Sequence, residues 1–146
     1  MIALRTILLA EDSSQDVELT LEALAEHKLA NNVVVVRDGV EALEYLRCEG
    51  PHAGRAGGLP AVLLLDIKMP RMDGIEVLEA VRSDDRLKLL PVVMLTSSRE
   101  EPDLTRCYAL GVNAYVVKPV AFSEFVAAAR HIGVFWALLN EQPPTV

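Results

Sequence analysis

The sequence predicts an α/β protein in which a parallel five-stranded sheet is covered by helices on both faces. Five short aliphatic runs alternate with segments whose apolar residues recur at helical spacing. The third run, 61–65, contains no polar residue, which is typical of a strand buried on both faces. Hydrophobic residues make up 51% of the chain and aromatic residues only 5%, which suits aliphatic strands and Ala- and Leu-rich helices. This alternation implies right-handed crossovers between parallel strands.

The predicted elements follow one another in regular order. The strands are expected at 6–10, 33–36, 61–65, 91–95 and 114–117. Ser13 or Ser14 is the expected N-cap of the first helix, and Asp38, with a glutamate three residues later, begins the second. The apolar helical positions are Val17, Leu21 and Leu24 in the first helix, Ala42, Leu43 and Leu46 in the second, and Val77, Leu78 and Val81 in the third. A fourth helix is expected at 101–110, where Gly111 stops it, and the last begins near Ser123.

The length predicts one domain with a substantial core, since 146 residues lie within the usual size of a single domain. We expect this domain to cover 1–140, with a loop rich in Gly, Pro and Ala at 50–60 and a frayed tail at 141–146. The segment that follows the fifth strand is too short to form a DNA-binding or enzymatic module, so we expect a stand-alone domain.

The last predicted helix continues through HIGVFWALLN and becomes apolar on nearly every side, with Phe135 and Trp136 adjacent. A helix that is apolar all round must be covered all round, and its own domain covers one side only. The sequence therefore predicts a homodimer through the C-terminal helix region. The alternative is a monomer in which the extension folds back over the domain.

Composition excludes several classes of partner. The formal net charge of −7 argues against nucleic acid, whose phosphates require clustered Lys and Arg. No apolar run reaches the roughly 18 residues that span a bilayer, and the N-terminus meets acids too early for a signal peptide. Cys48 and Cys107 are isolated, without the spacing of a metal site, as expected of reduced thiols. We therefore expect a cytoplasmic protein that binds neither nucleic acid nor membrane.

Polar side chains stand at the ends of four predicted strands. Glu11 and Asp12 follow the first strand, Asp66 the third, Thr96 the fourth and Lys118 the fifth. Each has an ordinary interpretation by itself: the acids and the threonine as helix caps or partners of a helix dipole, the lysine as a surface residue. Because the carboxyl ends of parallel strands share one edge, where open α/β sheets gather ligands, we expect the five side chains to converge.

Convergence of these residue types indicates phosphoryl-transfer chemistry. Three carboxylates a few ångströms apart repel one another and raise their own pKa values unless a cation lies between them. Hard oxygen ligands with room for water suit Mg²⁺. A lysine and a hydroxyl supply the charge and the hydrogen bond that a transferred phosphoryl group needs, with a carboxylate as nucleophile.

Five segments, in order, resemble the receiver domain of two-component response regulators. They are ILLAEDS, VRDGVEAL, LLLDIKMPRMDG, VVMLTSS and GVNAYVVKP, and the resemblance covers about 7–125. It implies a doubly wound, flavodoxin-like (βα)5 three-layer sandwich with strand order 2-1-3-4-5.

The resemblance also implies a role for each residue of the site. Asp66 would be the phosphoacceptor, and Lys118 would pair with the phosphoryl oxygens. Glu11 and Asp12 would hold Mg²⁺ together with Asp66 and the backbone carbonyl of Lys68, with Mn²⁺ or Ca²⁺ able to substitute.

A switch is implied as well. The hydroxyl of Thr96 would turn toward the phosphoryl group and the ring of Tyr115 would follow, changing the surface formed by the fourth helix, fifth strand and last helix. The resemblance further implies a cis peptide bond between Lys118 and Pro119, which an X–Pro bond permits.

The implied partner is a sensor histidine kinase. The protein would then be a signalling phosphoacceptor that catalyses only its own phosphotransfer and dephosphorylation, and not an enzyme with a separate substrate. The GPHAGRAGGLP loop and the C-terminal ending resemble the small regulators that accept phosphate from bacterial phytochrome-type kinases.

Two other functions share parts of this pattern. A phosphatase of the aspartate-nucleophile type needs a second acid two residues after the nucleophile, and Lys68 occupies that position. A flavodoxin-like cofactor-binding protein needs a Ser/Thr/Gly-rich phosphate loop after the first strand. Glu11 and Asp12 occupy that place and would repel a phosphate in the absence of a metal.

Overall fold

The computed structural model describes residues 6–25, 32–56, 58–97, 101–118 and 121–131. The predicted extension of the last helix, the tail at 141–146 and Pro119 lie outside the described residues.

The described strands form one parallel sheet in the order β2-β1-β3-β4-β5, which confirms the predicted topology. They are β1 (Ile7–Ala10), β2 (Val33–Val36), β3 (Val62–Asp66), β4 (Val92–Thr96) and β5 (Ala114–Val117). β3 and β4 lie one residue later than predicted. Pro91 has no N–H to donate, so the ladder of β4 begins after it. At the other end, pairing continues through Asp66 opposite Leu95 and Thr96 opposite Val117.

Within the described ranges, five α-helices connect or follow these strands: α1 (Ser14–Ala25), α2 (Gly39–Arg47), α3 (Gly74–Ser83), α4 (Glu101–Ala109) and α5 (Phe122–His131). The predicted cap residues Ser13 and Asp38 each accept a backbone N–H from the first turn of their helix, and a cap that the sequence analysis did not name begins α3. Asp38 accepts a hydrogen bond from the Glu41 N–H at 2.8 Å at the start of α2. Asp73 and Glu76 form a complete capping box at the start of α3.

The core consists of two apolar layers, one on each face of the sheet. Side chains of β1 alternate between them, since Ile7 and Leu9 pack on one face and Leu8 and Ala10 on the other. The first layer includes apolar residues of α1 and α5, and the second includes residues of α2, α3 and α4. This arrangement confirms the three-layer architecture, and it leaves the ends of the strands as the place where polar groups collect.

The amino edge of the sheet is held by Arg82, near the end of α3. Its guanidinium donates to the carbonyl oxygens of Leu90 at 2.7 Å and Gly111 at 2.9 Å, and to Oδ1 of Asn113 at 2.9 Å. The same Oδ1 accepts the first N–H of β4, from Val92, at 2.8 Å. One side chain thus joins α3 to the connections that lead into β4 and β5.

The predicted loop at 50–60 contains a short 3₁₀ turn, Gly50–His52, and is anchored to α2. Arg55 donates two hydrogen bonds to the carbonyl oxygen of Tyr45, at 2.6 and 3.0 Å, and one to Gly58 at 2.9 Å. Its guanidinium lies 4.0 Å from the centre of the Tyr45 ring, a cation–π contact.

Candidate functional site

The strand ends bring three carboxylates together at the carboxyl edge of the sheet, as predicted. Glu11 and Asp12 directly follow β1, and Asp66 is the last residue of β3, the strand beside it. Carboxylate oxygens of the three residues lie within 4.8 Å of one another. Glu11 and Asp66 are buried, whereas Asp12 is exposed. Two buried acids and one exposed acid form a site that is open on one side and could hold a metal ion.

Lys118 reaches the same cluster from the end of β5. Its ammonium lies 3.4 Å from Oδ2 of Asp66, donates to Oδ2 of Asp16 at 2.8 Å and makes a short hydrogen bond to Oε1 of Glu11. The other carboxylate oxygen of Glu11 accepts the N–H of Ser13 at 3.2 Å. The three donors of the ammonium therefore face three different carboxylates.

The electrostatics of the site are dominated by burial of like charges. Burial and, after it, the charge of Glu11 raise the pKa of Asp66 to about 7, because Lys118 offsets only part of these two effects. Burial alone would lower the pKa of Lys118, but hydrogen bonds to Asp16 and Glu11 outweigh it and the pKa is raised. The charged form of Lys118 is therefore favoured, and Asp66 takes up a proton at a much higher pH than an ordinary carboxylate.

The connection from β3 to α3 is packed tightly against Asp66. A Cβ atom on Gly74 would overlap the carbonyl oxygen of Asp66, so only glycine fits at this position. The Gly74 N–H donates to Ile67 at 2.8 Å. Arg71, which has a positive φ of 65°, contacts both carboxylate oxygens of Asp38 at 3.0 and 2.9 Å. These contacts fix the segment that follows the candidate acceptor.

A cleft of about 870 Å³ opens beside the acidic cluster. Its walls come from the β1–α1 connection, the β3–α3 connection, α3 and α4, and are formed by Asp12, Ile67, Lys68, Met69, Pro70, Asp73, Ile75, Glu76, Asp103 and Arg106. Asp12 and Lys68 both line it, and the side chain of Lys68 is exposed. The exposed side of the acidic cluster therefore faces an open cleft.

The two predicted switch residues lie on neighbouring strands. Thr96 ends β4, next to the strand that carries Asp66, and its side chain is outside what the structure describes. Tyr115 lies in β5 opposite Met94, is half-buried and packs against the core. It also lines a groove of about 540 Å³ between α4, β5 and α5, the surface predicted to change.

Asp16 is a residue of the site that the sequence did not reveal. It lies in the first turn of α1, where an acid is ordinarily explained by the helix dipole. Its spacing of four residues from Asp12 is the one signal that would have placed it on the same side of the helix start.

A family model for the response regulator receiver domain matches residues 7–130. The chain belongs to the response regulator receiver family. Receiver domains take phosphoryl groups from histidine kinases and are signalling proteins. Glu11, Asp12, Asp66 and Lys118, four of the residues to which the family resemblance gives a role, lie together at the carboxyl edge.

Several relatives are regulators associated with phytochromes. The chain is 61% identical to the bacteriophytochrome response regulator AtBRR, with a TM-score of 0.86 over 96% of this chain and 100% of that one. It is 40% identical to the phosphorylated cyanobacterial phytochrome response regulator RcpA, with a TM-score of 0.76 over 98% of this chain and 100% of that one. The chain is therefore similar to the phytochrome-associated response regulators, which matches the subgroup that the sequence suggested.

A third relative bears on metal binding. The response regulator Rcp1 of Synechocystis sp. strain PCC 6803 is 34% identical over 90% of this chain and 88% of its own length. A crystal structure of Rcp1 is of its Mn²⁺-bound form, and it matches this chain with 33% identity and a TM-score of 0.75 over 97% of this chain and 99% of that one.

Among the described residues, no helix is long and apolar enough to cross a membrane.

Proposed function

We propose that Asp66 accepts a phosphoryl group from a phytochrome-type sensor histidine kinase and that the protein passes this signal to a partner. The observation that carries the proposal is the position of Asp66 at the centre of the strand-end cluster. It lies among the carboxylates of Glu11 and Asp12, with the ammonium of Lys118 at 3.4 Å from one of its oxygens.

Glu11, Asp12 and Asp66 would hold a divalent cation, together with the backbone carbonyl of Lys68. Three carboxylate ligands and open positions for water fit Mg²⁺, and Mn²⁺ or Ca²⁺ can take the same oxygen ligands. The raised pKa of Asp66 supports the fit, because a site whose like charges repel gains most from a cation. When bound, the ion neutralises charge on the incoming phosphoryl group.

The chemical step is a displacement at phosphorus. A carboxylate oxygen of Asp66 forms the new O–P bond, the P–N bond to the kinase histidine breaks, and that imidazole keeps the electron pair. Lys118 stabilises the phosphoryl oxygens, because its ammonium already lies beside the carboxylate that is modified. The protein acts on itself in this step and is a signalling phosphoacceptor, not an enzyme with a separate substrate.

Phosphorylation would shift an existing two-state equilibrium. The Thr96 hydroxyl moves toward the phosphoryl group and the Tyr115 ring takes the space that it leaves. The result is a changed surface on α4, β5 and α5, where the groove lined by Tyr115 already lies. A Thr96→Ala variant is expected to accept phosphate but to show weaker amide shifts around Tyr115, and identical shifts would remove Thr96 as the relay.

Phosphorylation by a small donor tests the assignment of Asp66. With phosphoramidate and Mg²⁺, the wild-type protein should gain one phosphoryl group by intact-protein mass spectrometry, and Asp66→Asn should gain none. Asp85→Asn is the matched control, because the side chain of Asp85 is 95% exposed and lies between the end of α3 and the amino end of β4. Uptake by Asp66→Asn at the wild-type level would overturn the assignment.

The remaining parts of the proposal concern the partner and the assembly. Phosphotransfer from candidate phytochrome-type kinases would identify the donor, with Asp66→Asn as the blank.

We further propose that the protein is cytoplasmic, with one domain over 1–140, and that it forms a homodimer through its C-terminal helix region. Light scattering on the full chain and on a version stopped after Ile132 tests the dimer, and a monomeric full-length protein would contradict it.

A further inference from the structure

Asp16 contacts the same ammonium group as the proposed phosphoacceptor Asp66 and the proposed metal ligand Glu11. Its Oδ2 accepts a hydrogen bond from Nζ of Lys118 at 2.8 Å, closer than the 3.4 Å that separates Nζ from Asp66. Only 10% of the Lys118 side chain is exposed, against 37% for Asp16. A nearly buried lysine is thus held from the solvent side by an acid of α1.

The local hydrogen bonds at the start of α1 leave Asp16 free for this contact. Ser13 accepts the Asp16 N–H at 3.2 Å, which is one half of a capping box. In the other half the acid would accept the N–H of the cap residue, as Glu76 does at the start of α3. Here Glu11 accepts the Ser13 N–H instead, at 3.2 Å. The carboxylate of Asp16 therefore turns to Lys118 and not back to its own helix.

We propose that Asp16 is a positioning residue that holds the Lys118 ammonium on the α1 side of the site, so that a divalent cation can bind without competition from the lysine. The inference rests on the proposed metal site at Glu11, Asp12 and Asp66. Asp16 is not itself placed among the metal ligands, because it acts through the lysine.

The charges of the site supply the reason. Lys118 contacts Glu11 and Asp66, two of the three carboxylates that would bind the cation. A dication at those oxygens repels the ammonium, which must then keep an anionic partner elsewhere or lose its hydrogen bonds in a buried place. Asp16 is that partner. Without its charge, the ammonium stays on Glu11 and Asp66 and competes with the metal.

Metal affinity in the unphosphorylated protein tests the inference. The probe is Mn²⁺, whose free concentration is read from its electron paramagnetic resonance signal during titration. We expect Asp16→Asn to raise the Kd for Mn²⁺ about fivefold, the size expected for loss of one partly exposed charge-assisted hydrogen bond. The matched control is Glu18→Gln, which removes an exposed acid two residues along the same helix and should change Kd less than about twofold.

A double-mutant cycle separates positioning from a direct effect of charge. In a Lys118→Ala background, Asp16→Asn should change Kd less than about twofold, because no ammonium is left to position. An Asp16→Asn protein with wild-type affinity, or with the same loss in both backgrounds, would overturn the inference while leaving the metal site and Asp66 phosphorylation in place. A wild-type protein that takes up no Mn²⁺ would instead remove the metal site itself, and this inference with it.

Discussion

Replacing Asp66 with Asn should make the stability of the metal-free protein less dependent on pH. Burial, reinforced by the charge of Glu11, raises the pKa of Asp66 from 3.8 to about 7 in the folded state. Between those two pH values the folded protein keeps a proton that the unfolded chain has released. The stabilisation from this proton is complete below 3.8 and is lost as pH rises through 7.

The pKa difference sets the size of the effect. At 1.36 kcal/mol per pKa unit, the shift corresponds to about 4 kcal/mol of unfolding free energy. Asn resembles the protonated acid in shape and does not titrate. The free energy of unfolding of Asp66→Asn, relative to wild type, should therefore grow by about 4 kcal/mol from about pH 4 to pH 8 and then level off.

Urea titrations followed by far-UV circular dichroism in the presence of EDTA measure this difference. Asp85→Asn is the control, since it makes the same chemical change at a carboxylate that is 95% exposed and lies away from the cluster, beyond the end of α3. Saturating Mg²⁺ should stabilise the wild-type protein and remove most of the variant's advantage at high pH. A stability difference for Asp66→Asn that is constant from pH 4 to 8 would refute the reasoning, because it would mean that Lys118 neutralises the buried acids completely.

Three further substitutions test other contacts. Asp12→Ala should lose most of the Mg²⁺-induced rise in Tm and melt slightly higher without metal, and an unchanged metal response in a thermal scan would contradict its place at the cluster. Gly74→Ala should lower the free energy of unfolding, measured in urea, by about 1–3 kcal/mol and slow phosphoryl uptake, because the new Cβ overlaps the carbonyl oxygen of Asp66. A variant with wild-type stability would show that the β3–α3 connection adjusts to the Cβ without cost. Arg82→Met should lower the free energy of unfolding, measured in urea, by about 2–4 kcal/mol, because the carbonyl oxygens that Arg82 binds lose their donor. It should leave the Mn²⁺ affinity unchanged, and a loss of affinity would show that the two edges of the sheet are coupled.

The strands and the acidic cluster were predictable because both follow from local rules. Aliphatic runs mark buried parallel strands, and the residue after each run must lie at the carboxyl edge whatever the details of packing. For that reason the sequence alone places Glu11, Asp12, Asp66 and Lys118 at one edge of the sheet. Strand ends were off by one residue at β3 and β4, since ladder pairing, and not composition, decides where a strand stops.

Contacts between distant segments could not be predicted in the same way. Asp16 has the sequence signature of an ordinary helix-start acid, and its contact with a lysine 102 residues later depends on how α1 sits against β5. Arg55 and Arg82 likewise bind backbone carbonyls, and a carbonyl carries no sequence signal. The role of the Thr96 hydroxyl, the cis bond at Pro119 and the dimer stay predictions.

The two edges of the sheet differ in how their charges are balanced, so we expect one edge to be rigid and the other to change with the charge of the site. At the amino edge, the guanidinium of Arg82 satisfies carbonyl oxygens from two connections and locks them to α3. At the carboxyl edge, the carboxylates of Glu11, Asp12 and Asp66 lie close together and repel one another beside the ammonium of Lys118. A change of charge at the carboxyl edge can therefore move the helix ends that lie there, while the helix ends at the amino edge stay in place. Amide hydrogen exchange should be slower around Asn113, at the amino edge, than around Asp12, at the carboxyl edge.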